Sequence, residues 1–287
     1  MNRRFSIFQA CNTVILALAA VSTLYPFLYM ISISLSDHAH VLQGDVWLWP
    51  RGINLDMYKY VFKDGRIFTG YQNTIIYTAL GTVVSLLVTS MGGYALSKKE
   101  MVFHKTFTFI VLATLFVNGG MIPTFLVVKS YGLVNTIWAM VLPGVVTTWN
   151  LIIIRTFFSG IPKELEESGK LDGLSEIGIF LRIVLPLSKA ALATIGLFYA
   201  VGIWNNFMGP LLYLRKEELF PLQVFLRQIV LAGQFNGDGG AVSDSLIIAE
   251  DALKYATIMV STLPLLVIYP FIQKYFVKGA LIGSVKG

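Results

Sequence analysis

The chain alternates between long apolar segments and shorter polar ones. Six segments stay apolar over about 20 residues, the length that a helix needs to cross the hydrocarbon core of a bilayer. They are residues 11–33, 69–97, 103–127, 136–157, 187–212 and 255–277. The pattern therefore predicts an all-α membrane protein with six transmembrane helices, whose two ends lie on the same side of the membrane.

Composition and charge set the orientation. Hydrophobic residues make up 55% of the chain and charged residues only 13%, whereas soluble domains carry about a quarter charged residues. Of the 22 lysines and arginines, 13 fall on the side that holds both ends, which predicts cytoplasmic termini. These residues lie at the ends of apolar segments rather than on one polar face. The net charge of +6 is thus read as a topology signal, and no nucleic acid partner is expected.

The first apolar segment is longer than the core of a signal peptide. Ser32 and Ser34 offer small residues for cleavage, but an uncleaved first span is favoured. The single cysteine, Cys11, has no partner for an internal disulfide.

Two connections on the outer side are long, residues 34–68 and 213–254. Trp47 and Trp49 in the first are typical of anchors at a membrane interface. The second contains apolar residues at helical spacing, which predict a helix on the outer membrane surface or against its neighbours. These residues are Leu222, Phe225, Leu226, Ile229 and Val230. The predicted organisation is a first helix with its outer segment (1–68), a transmembrane core (69–277) and a cytoplasmic tail (278–287).

A polar loop with a distinctive sequence joins the fourth and fifth spans; residues 162–186 are called the motif loop below. Pro162 favours the start of a helix, because its missing N–H would be unpaired there in any case. Asp172-Gly173 breaks this helix, and Ser175 can cap a second helix that runs through Ile183. The loop is predicted to end at its last two residues, where the chain re-enters the membrane on the cytoplasmic side.

The motif loop resembles the EAA loop of ABC-importer permeases, in which a Glu and two small residues precede a spaced Gly and an I-x-L-P ending. The residues concerned are Glu167, Ser168, Gly169, Asp172, Gly173, Ile183, Leu185 and Pro186. Ser168 and Gly169 replace two alanines and are also small. The resemblance implies that the second helix docks on a separate ATPase, that Glu167 helps to fix the loop, and that Gly173 permits its bend.

The resemblance extends over nearly the whole chain. Features similar to carbohydrate-importer permeases of the maltose-permease type are Pro210, Pro221-Leu222-Gln223, and the ending from Tyr269-Pro270-Phe271 to Val285-Lys286-Gly287. Features that resemble a branch importing uronate and pectin-derived oligosaccharides are Asn118-Gly119-Gly120-Met121-Ile122-Pro123 and Trp204-Asn205-Asn206. The implied fold is that of a type I ABC-importer permease, which moves a carbohydrate, expected to be an oligosaccharide, by ATP-driven alternating access.

The same resemblance implies a set of partners in the bacterial inner membrane. They are a second, related permease subunit that completes a heterodimer, two ATPase subunits, an extracytoplasmic sugar-binding protein, and membrane lipid. The chain has no P-loop sequence, so ATP and Mg²⁺ are expected on the partner ATPase, with no cofactor and no catalysis here. Contact with the binding protein is expected in the loop 233–243, at Gln234, Phe235, Asn236 and Asp238.

Polar side chains within the apolar segments are candidates for the substrate path, since an unpaired amide is costly in hydrocarbon. In Trp204-Asn205-Asn206, an aromatic ring suits the apolar face of a sugar and two amides suit its hydroxyls. Asn118, Trp149 and Asn150 are further candidates. Hydrogen bonds between helices remain the alternative for every one of these amides.

Two glycine pairs interrupt apolar segments. Asn118-Gly119-Gly120, with Pro123, predicts a distorted third span, which either opens backbone groups to a cavity or allows tight packing; packing is favoured. Gly92-Gly93 predicts a close helix contact.

Other function classes have little support. His38-x-His40 lacks a third ligand, so no metal site is predicted. An ion-coupled secondary transporter would need carboxylates or histidines inside the membrane, and the spans contain essentially none. That class and a non-catalytic membrane scaffold remain the alternatives.

Overall fold

The computed structural model describes residues 7–63, 65–235, 252–264, 266–267 and 270. Every regular element among them is helical, which confirms the all-α prediction. The α-helices are α1 (Ile7–Leu35), α2 (His38–Leu42), α3 (Asp56–Lys63), α4 (Gly65–Ser97), α5 (His104–Ala113), α6 (Met121–Ser130), α7 (Trp138–Val141), α8 (Thr148–Ser159), α9 (Lys163–Leu171), α10 (Glu176–Ile179), α11 (Leu185–Leu187), α12 (Lys189–Trp204), α13 (Met208–Tyr213), α14 (Leu222–Phe235) and α15 (252–264). A π-helix occupies Phe180–Val184 and a 3₁₀ helix Glu217–Leu219.

Two described helices, α1 and α4, are each long and apolar enough to cross a bilayer alone. A third crossing is possible if the helical segment Glu176–Leu187 and α12, which meet at 84°, form one bent span. The predicted spans 11–33 and 69–97 are therefore confirmed as continuous helices. The sixth predicted span, 255–277, lies partly outside the described residues, and α15 covers its first part.

The other three predicted spans are each two helices rather than one. Residues 103–127 divide into α5 and α6, residues 136–157 into α7 and α8, and residues 187–212 into α12 and α13. Two of the breaks contain a glycine with positive φ, +82° at Gly120 and +85° at Gly144, a conformation that ends a right-handed helix. The prediction was right that these three segments are apolar and wrong that each is one continuous helix. Hydropathy is averaged over many residues, so it does not detect a break caused by the backbone conformation of one residue.

Residues 69–224 form most of one compact unit. Its larger core joins α8, the motif loop and α12, and the buried members are Ile154, Phe158, Ile179, Phe180, Val184, Ala191, Ile195 and Tyr199. Helix α4 approaches this core closely, since a Cβ added to Gly93 would lie 2.5 Å from Cγ2 of Ile154. One added to Gly92 would lie 3.3 Å from Leu151. The predicted close contact at Gly92-Gly93 is confirmed.

Residues 1–68 and 225–264 belong to the second unit. There the end of α1 holds the following loop through hydrogen bonds: the Ser32 hydroxyl donates to the Leu48 carbonyl (2.7 Å), and the Asn54 N–H donates to the Leu35 carbonyl (2.8 Å). The loop presents Trp49 at the surface with 82% of its area exposed. This is the environment that an interfacial anchor requires.

The predicted amphipathic helix is present as α14. Leu222 and Phe225 on its apolar face are buried. Of the two predicted settings, packing against neighbouring parts of the protein is therefore the one observed for these two residues.

Candidate functional site

The first half of the motif loop is a short polar helix with a tightly closed end. Helix α9 follows Pro162 directly, as predicted, and ends at Leu171. The Gly173 N–H donates to the Lys170 carbonyl (3.0 Å), and the Leu174 N–H donates to the Gly169 carbonyl (2.9 Å). This paired closure needs a left-handed residue after the helix, and Gly173 supplies it with φ of +80°. The sharp bend predicted here is therefore a glycine-dependent turn.

The second half begins with a capped helix. The Ser175 hydroxyl accepts a hydrogen bond from the Gly178 N–H (3.2 Å), which confirms Ser175 as the N-cap of α10. Helix α10 continues without interruption into the π-helix and then into α11.

Pro186 lies inside this helical segment instead of ending it, so the predicted loop end is displaced. A proline ring collides with the carbonyl four residues earlier in an α-helix and leaves it without a donor. Here the preceding turn, Phe180–Val184, is a π-helix, whose wider spacing accommodates the proline. The chain instead bends by 84° at Ser188, two residues beyond the predicted end.

Gly169 fixes the two halves of the motif loop against each other. A Cβ at this position would lie 2.8 Å from Cδ1 of Ile183 and 3.3 Å from Cγ1 of Ile179, so a larger residue would have to displace these two side chains. The neighbouring Ser168 is exposed, and its hydroxyl donates to the Leu165 carbonyl (3.0 Å) within α9. Close packing in this chain thus involves Gly169 and not Ser168.

Charged residues connect the motif loop to the end of α4. Lys98, just after α4, forms an ion pair with Glu166, and both side chains are largely buried, at 24% and 16% exposed. Lys163 pairs with Glu100 (2.9 Å), and Lys170 with Glu176 (2.7 Å). These groups line a cleft of about 430 Å³.

The electrostatics of the cleft follow from burial and pairing. Desolvation lowers the pKa of Lys98, and the nearby Glu176 carboxylate opposes that shift. The hydrogen bond from Lys170 lowers the pKa of Glu176. Glu167 also lines the cleft but is exposed, and among the described residues it has no ion pair or hydrogen bond. Its expected role in fixing the loop stays a prediction, while its neighbour Glu166 makes the buried pair.

The motif loop also carries three exposed apolar side chains: Leu171 at the end of α9, and Ile177 and Leu181, which form an exposed apolar face on the second helix. Their exposed fractions are 90%, 71% and 54%. Ile177 and Leu181 are four residues apart on the second helix, on the side away from the buried Ile179. The sequence interpretation missed these residues because it considered only the residues that match the EAA-like motif. The feature that could have identified them is the apolar pair Ile177 and Leu181, which is spaced for one side of a helix and lies on a different side from the buried Ile179.

The substrate-path candidates lie in different settings. Trp204 is 5% exposed, and its indole N–H has no acceptor among the described residues. The Asn205 amide donates to the Val201 carbonyl (3.0 Å), and Asn206 accepts from the Gly209 N–H (3.0 Å), so both amides cap ends of helices.

The remaining substrate-path candidates belong to other elements of the fold. Asn118 accepts a hydrogen bond from the Gly120 N–H (2.9 Å) and organises the break before α6. In α8, Trp149 is exposed whereas Asn150 is buried. No hydrogen bond among the described residues links Asn118, Trp149 or Asn150 to Trp204, Asn205 or Asn206. The expected binding-protein contacts Gln234 and Phe235 end α14, while Asn236 and Asp238 lie outside the described residues.

Comparison with known proteins agrees with the resemblance of the motif loop. The sequence profile described as "Binding-protein-dependent transport system inner membrane component" matches residues 3–282. Protein LplC of Bacillus subtilis (strain 168) is 44% identical over 281 residues, which cover 98% of this chain and 95% of that protein. The polygalacturonan/rhamnogalacturonan transport system permease protein YtcP of the same organism is 43% identical over 273 residues, covering 95% and 96%.

A solved structure has the same fold. It is the crystal structure of a bacterial ABC transporter involved in the import of the acidic polysaccharide alginate, and the matched chain has a TM-score of 0.85 at 34% identity. The match covers 96% of this chain and 100% of the other, so the predicted ABC-importer permease fold is confirmed. The chain belongs to the family of inner-membrane components of binding-protein-dependent transport systems.

Proposed function

We propose that this chain is a non-catalytic subunit that carries a carbohydrate into the bacterial cytoplasm by ATP-driven alternating access. The observation that carries the proposal is the motif loop, whose two helices pack closely at Gly169 and expose Leu171 together with the apolar face of Ile177 and Leu181. Contiguous exposed apolar residues on a rigid element are typical of a protein interface. A packed helix pair of this kind passes on a displacement without absorbing it in loop motion.

The proposed topology has six spans, both termini in the cytoplasm and the motif loop facing the ATPase. The distribution of lysine and arginine supports this orientation. The breaks in the third to fifth predicted spans are compatible with it, since non-helical backbone is tolerated at membrane depth where protein or a water-filled cavity surrounds it.

The proposed assembly contains two related permease subunits, two ATPases that bind ATP and Mg²⁺, and an extracytoplasmic binding protein. Six spans enclose too little space for an oligosaccharide path alone, which is the reason for a second permease. Family membership supports dependence on a binding protein. Glu167, Gly173 and the apolar face are assigned to the ATPase side.

The proposed substrate is an acidic oligosaccharide. Two similar proteins, one named for polygalacturonan and rhamnogalacturonan transport and one described as importing alginate, support this class. Trp204 is assigned to the path because its buried indole N–H has no acceptor among the described residues and is therefore available to a hydroxyl. Asn205, Asn206, Asn118, Trp149 and Asn150 remain candidates.

The ATPase contact is tested by placing a charge on the apolar face. Ile177→Asp is expected to lower the amount of ATPase that co-purifies with the complex about tenfold, because a carboxylate would be desolvated in the interface. Val102→Asp is the matched control, since Val102 is 72% exposed, lies outside the motif loop and shares its predicted side of the membrane. Full recovery of the ATPase with Ile177→Asp would contradict the assignment.

The transport class is tested with the complete complex and its binding protein in proteoliposomes. Uptake of trigalacturonate is expected to require internal ATP and to continue after ion gradients are collapsed. Uptake that follows an ion gradient without ATP would support the secondary-transporter alternative instead. Preference for a neutral arabinotriose would overturn the acidic substrate while leaving the transport mechanism intact.

A further inference from the structure

Helix α4 is attached to the motif loop at its last turn and to the segment 217–222 two turns after its start. We propose that the part of α4 between Asn73 and Lys98 is a rod that carries motion of the motif loop to the segment 217–222, on the opposite side of the membrane. This inference rests on the proposed function. It adds to that function residues of α4 and of the segment 217–222, which lie outside the EAA-like motif.

The first joint lies at the motif loop. Lys98 and Glu166 form the buried ion pair, and Lys98 Nζ lies 4.5 Å from the ring centroid of Tyr94, where a cation is favoured. The Tyr94 hydroxyl donates to Glu176 (3.1 Å), and its ring lies 5.1 Å from that of Phe180. The end of α4 therefore contacts α9, α10 and the π-helix, that is, both halves of the motif loop.

The second joint lies about 37 Å away along α4, at a helical rise of about 1.5 Å per residue. The Asn73 amide donates to the carbonyls of Glu218 (2.7 Å) and Phe220 (3.1 Å). Two further hydrogen bonds bind the same segment: Tyr77 OH to the Leu219 carbonyl (2.8 Å), and the Leu222 N–H to Thr74 Oγ1 (2.9 Å). Four hydrogen bonds between one helix and six consecutive residues fix that segment to α4.

The helix between the joints is well suited to transmit force. It belongs to an unbroken helix of 33 residues that contains no proline. The covalent route between the same two places runs through the 84° bend at Ser188 and the break after Trp204. A continuous helix passes on a displacement that an articulated chain would absorb.

The experiment uses the complete complex in nanodiscs and reads motion at the segment itself. Cys11→Ser removes the only native cysteine, and Lys216→Cys places a label on an exposed residue beside the segment. The measured quantity is the rate of labelling by a membrane-impermeant maleimide, before and after trapping with Mg-ATP and vanadate. Trapping is expected to change that rate about fivefold or more when the rod is intact.

Breaking either joint is expected to abolish this change while vanadate trapping persists. Lys98→Glu and Glu166→Lys each break the first joint. The double exchange is expected to restore part of the response, because the pair is re-formed with reversed charges but the Tyr94 ring and the Glu176 carboxylate favour a cation at position 98. Asn73→Leu breaks the second joint without altering a charge. Lys99→Glu is the matched control, since Lys99 is the exposed neighbour of Lys98 and forms no ion pair among the described residues.

The outcomes separate the two proposals. If the single variants trap nucleotide and keep the full change at residue 216, the rod is overturned and the proposed function stands. If the double exchange restores none of a response that both single changes abolish, the ion pair is not the joint. If the unaltered complex traps nucleotide without a change at residue 216, only the rod fails; if it traps no nucleotide, the proposed function fails, and the rod with it.

Discussion

The chain contains two Gly-Gly pairs within segments of similar hydropathy, and the structure uses them in opposite ways. Gly92-Gly93 lies in α4 and leaves that helix continuous. Gly119-Gly120 lies at the break between α5 and α6. The same dipeptide therefore accompanies an intact helix in one place and an interrupted one in the other.

The difference is one of surroundings. Gly93 is helical because its missing side chain lets α4 and α8 touch, and packing stabilises the helix that glycine itself disfavours. At Gly119 and Gly120, a Cβ would meet no atom within 4 Å. Gly120 instead adopts φ of +82° and ψ of 174°, a conformation essentially restricted to glycine. Tight packing, the favoured interpretation of this second pair, is therefore wrong within this chain.

The largest loss of stability is expected from adding a side chain at the tightly packed pair, Gly92-Gly93. Gly93→Val would place atoms inside the contact of Gly93 with Ile154 and is expected to destabilise the subunit by about 3 kcal/mol. The measurement is the midpoint of thermal unfolding in detergent. Combined with Ile154→Ala, which is destabilising by itself, the total loss should be smaller than the sum of the two single losses, and a strictly additive loss would show that the contact is not the cause.

A smaller loss of stability is expected from adding a side chain at Gly119-Gly120, where no atom of this chain packs against either glycine. Gly120→Ala forces an alanine into a backbone conformation reserved for glycine and should cost about 1–2 kcal/mol in the same measurement. Gly119→Ala is the matched control, with space for the methyl group and no expected loss. Instability of Gly119→Ala only in the assembled complex would show that this glycine packs against another subunit.

The smallest effect concerns the side chain that supports the break. Asn118→Ala removes the hydrogen bond to the Gly120 N–H and should cost about 1 kcal/mol, the net contribution of one typical hydrogen bond. Asn118→Asp keeps an acceptor and serves as the control. A loss of transport much larger than the loss of stability would assign Asn118 to the substrate path.

Comparison of these two glycine pairs shows which features of the fold the sequence could predict. Apolar length predicted α1 and α4 as continuous helices, and both are continuous although α1 contains Pro26 and α4 contains Gly92-Gly93. The motif loop was predicted in outline, since Ser175 and Gly173 act on their nearest neighbours in the chain. The break before α6 was predicted in kind from its glycines and proline, but its cause was assigned to packing.

The site was less predictable because its contacts join residues far apart in the chain. Lys98 and Glu166 are separated by 68 positions, and neither belongs to the motif. Pairing between them depends on how α4 approaches α8, and that approach depends on Gly93. The exposed face of Ile177 and Leu181 became visible only when the structure identified which side of the helix is buried. Local chemistry was therefore easier to infer than partners across the fold.

The wide turn at Phe180–Val184 has a consequence for the length of the chain. A π turn holds one more residue than the α turn it replaces, so it shifts the angular phase of the rest of that helix by roughly one residue, or about 100°. Removing a single amino acid there would rotate Leu185–Leu187 about the helix axis relative to α10. The direction in which the chain leaves this helix at Ser188 therefore depends on one surplus residue in the turn before it.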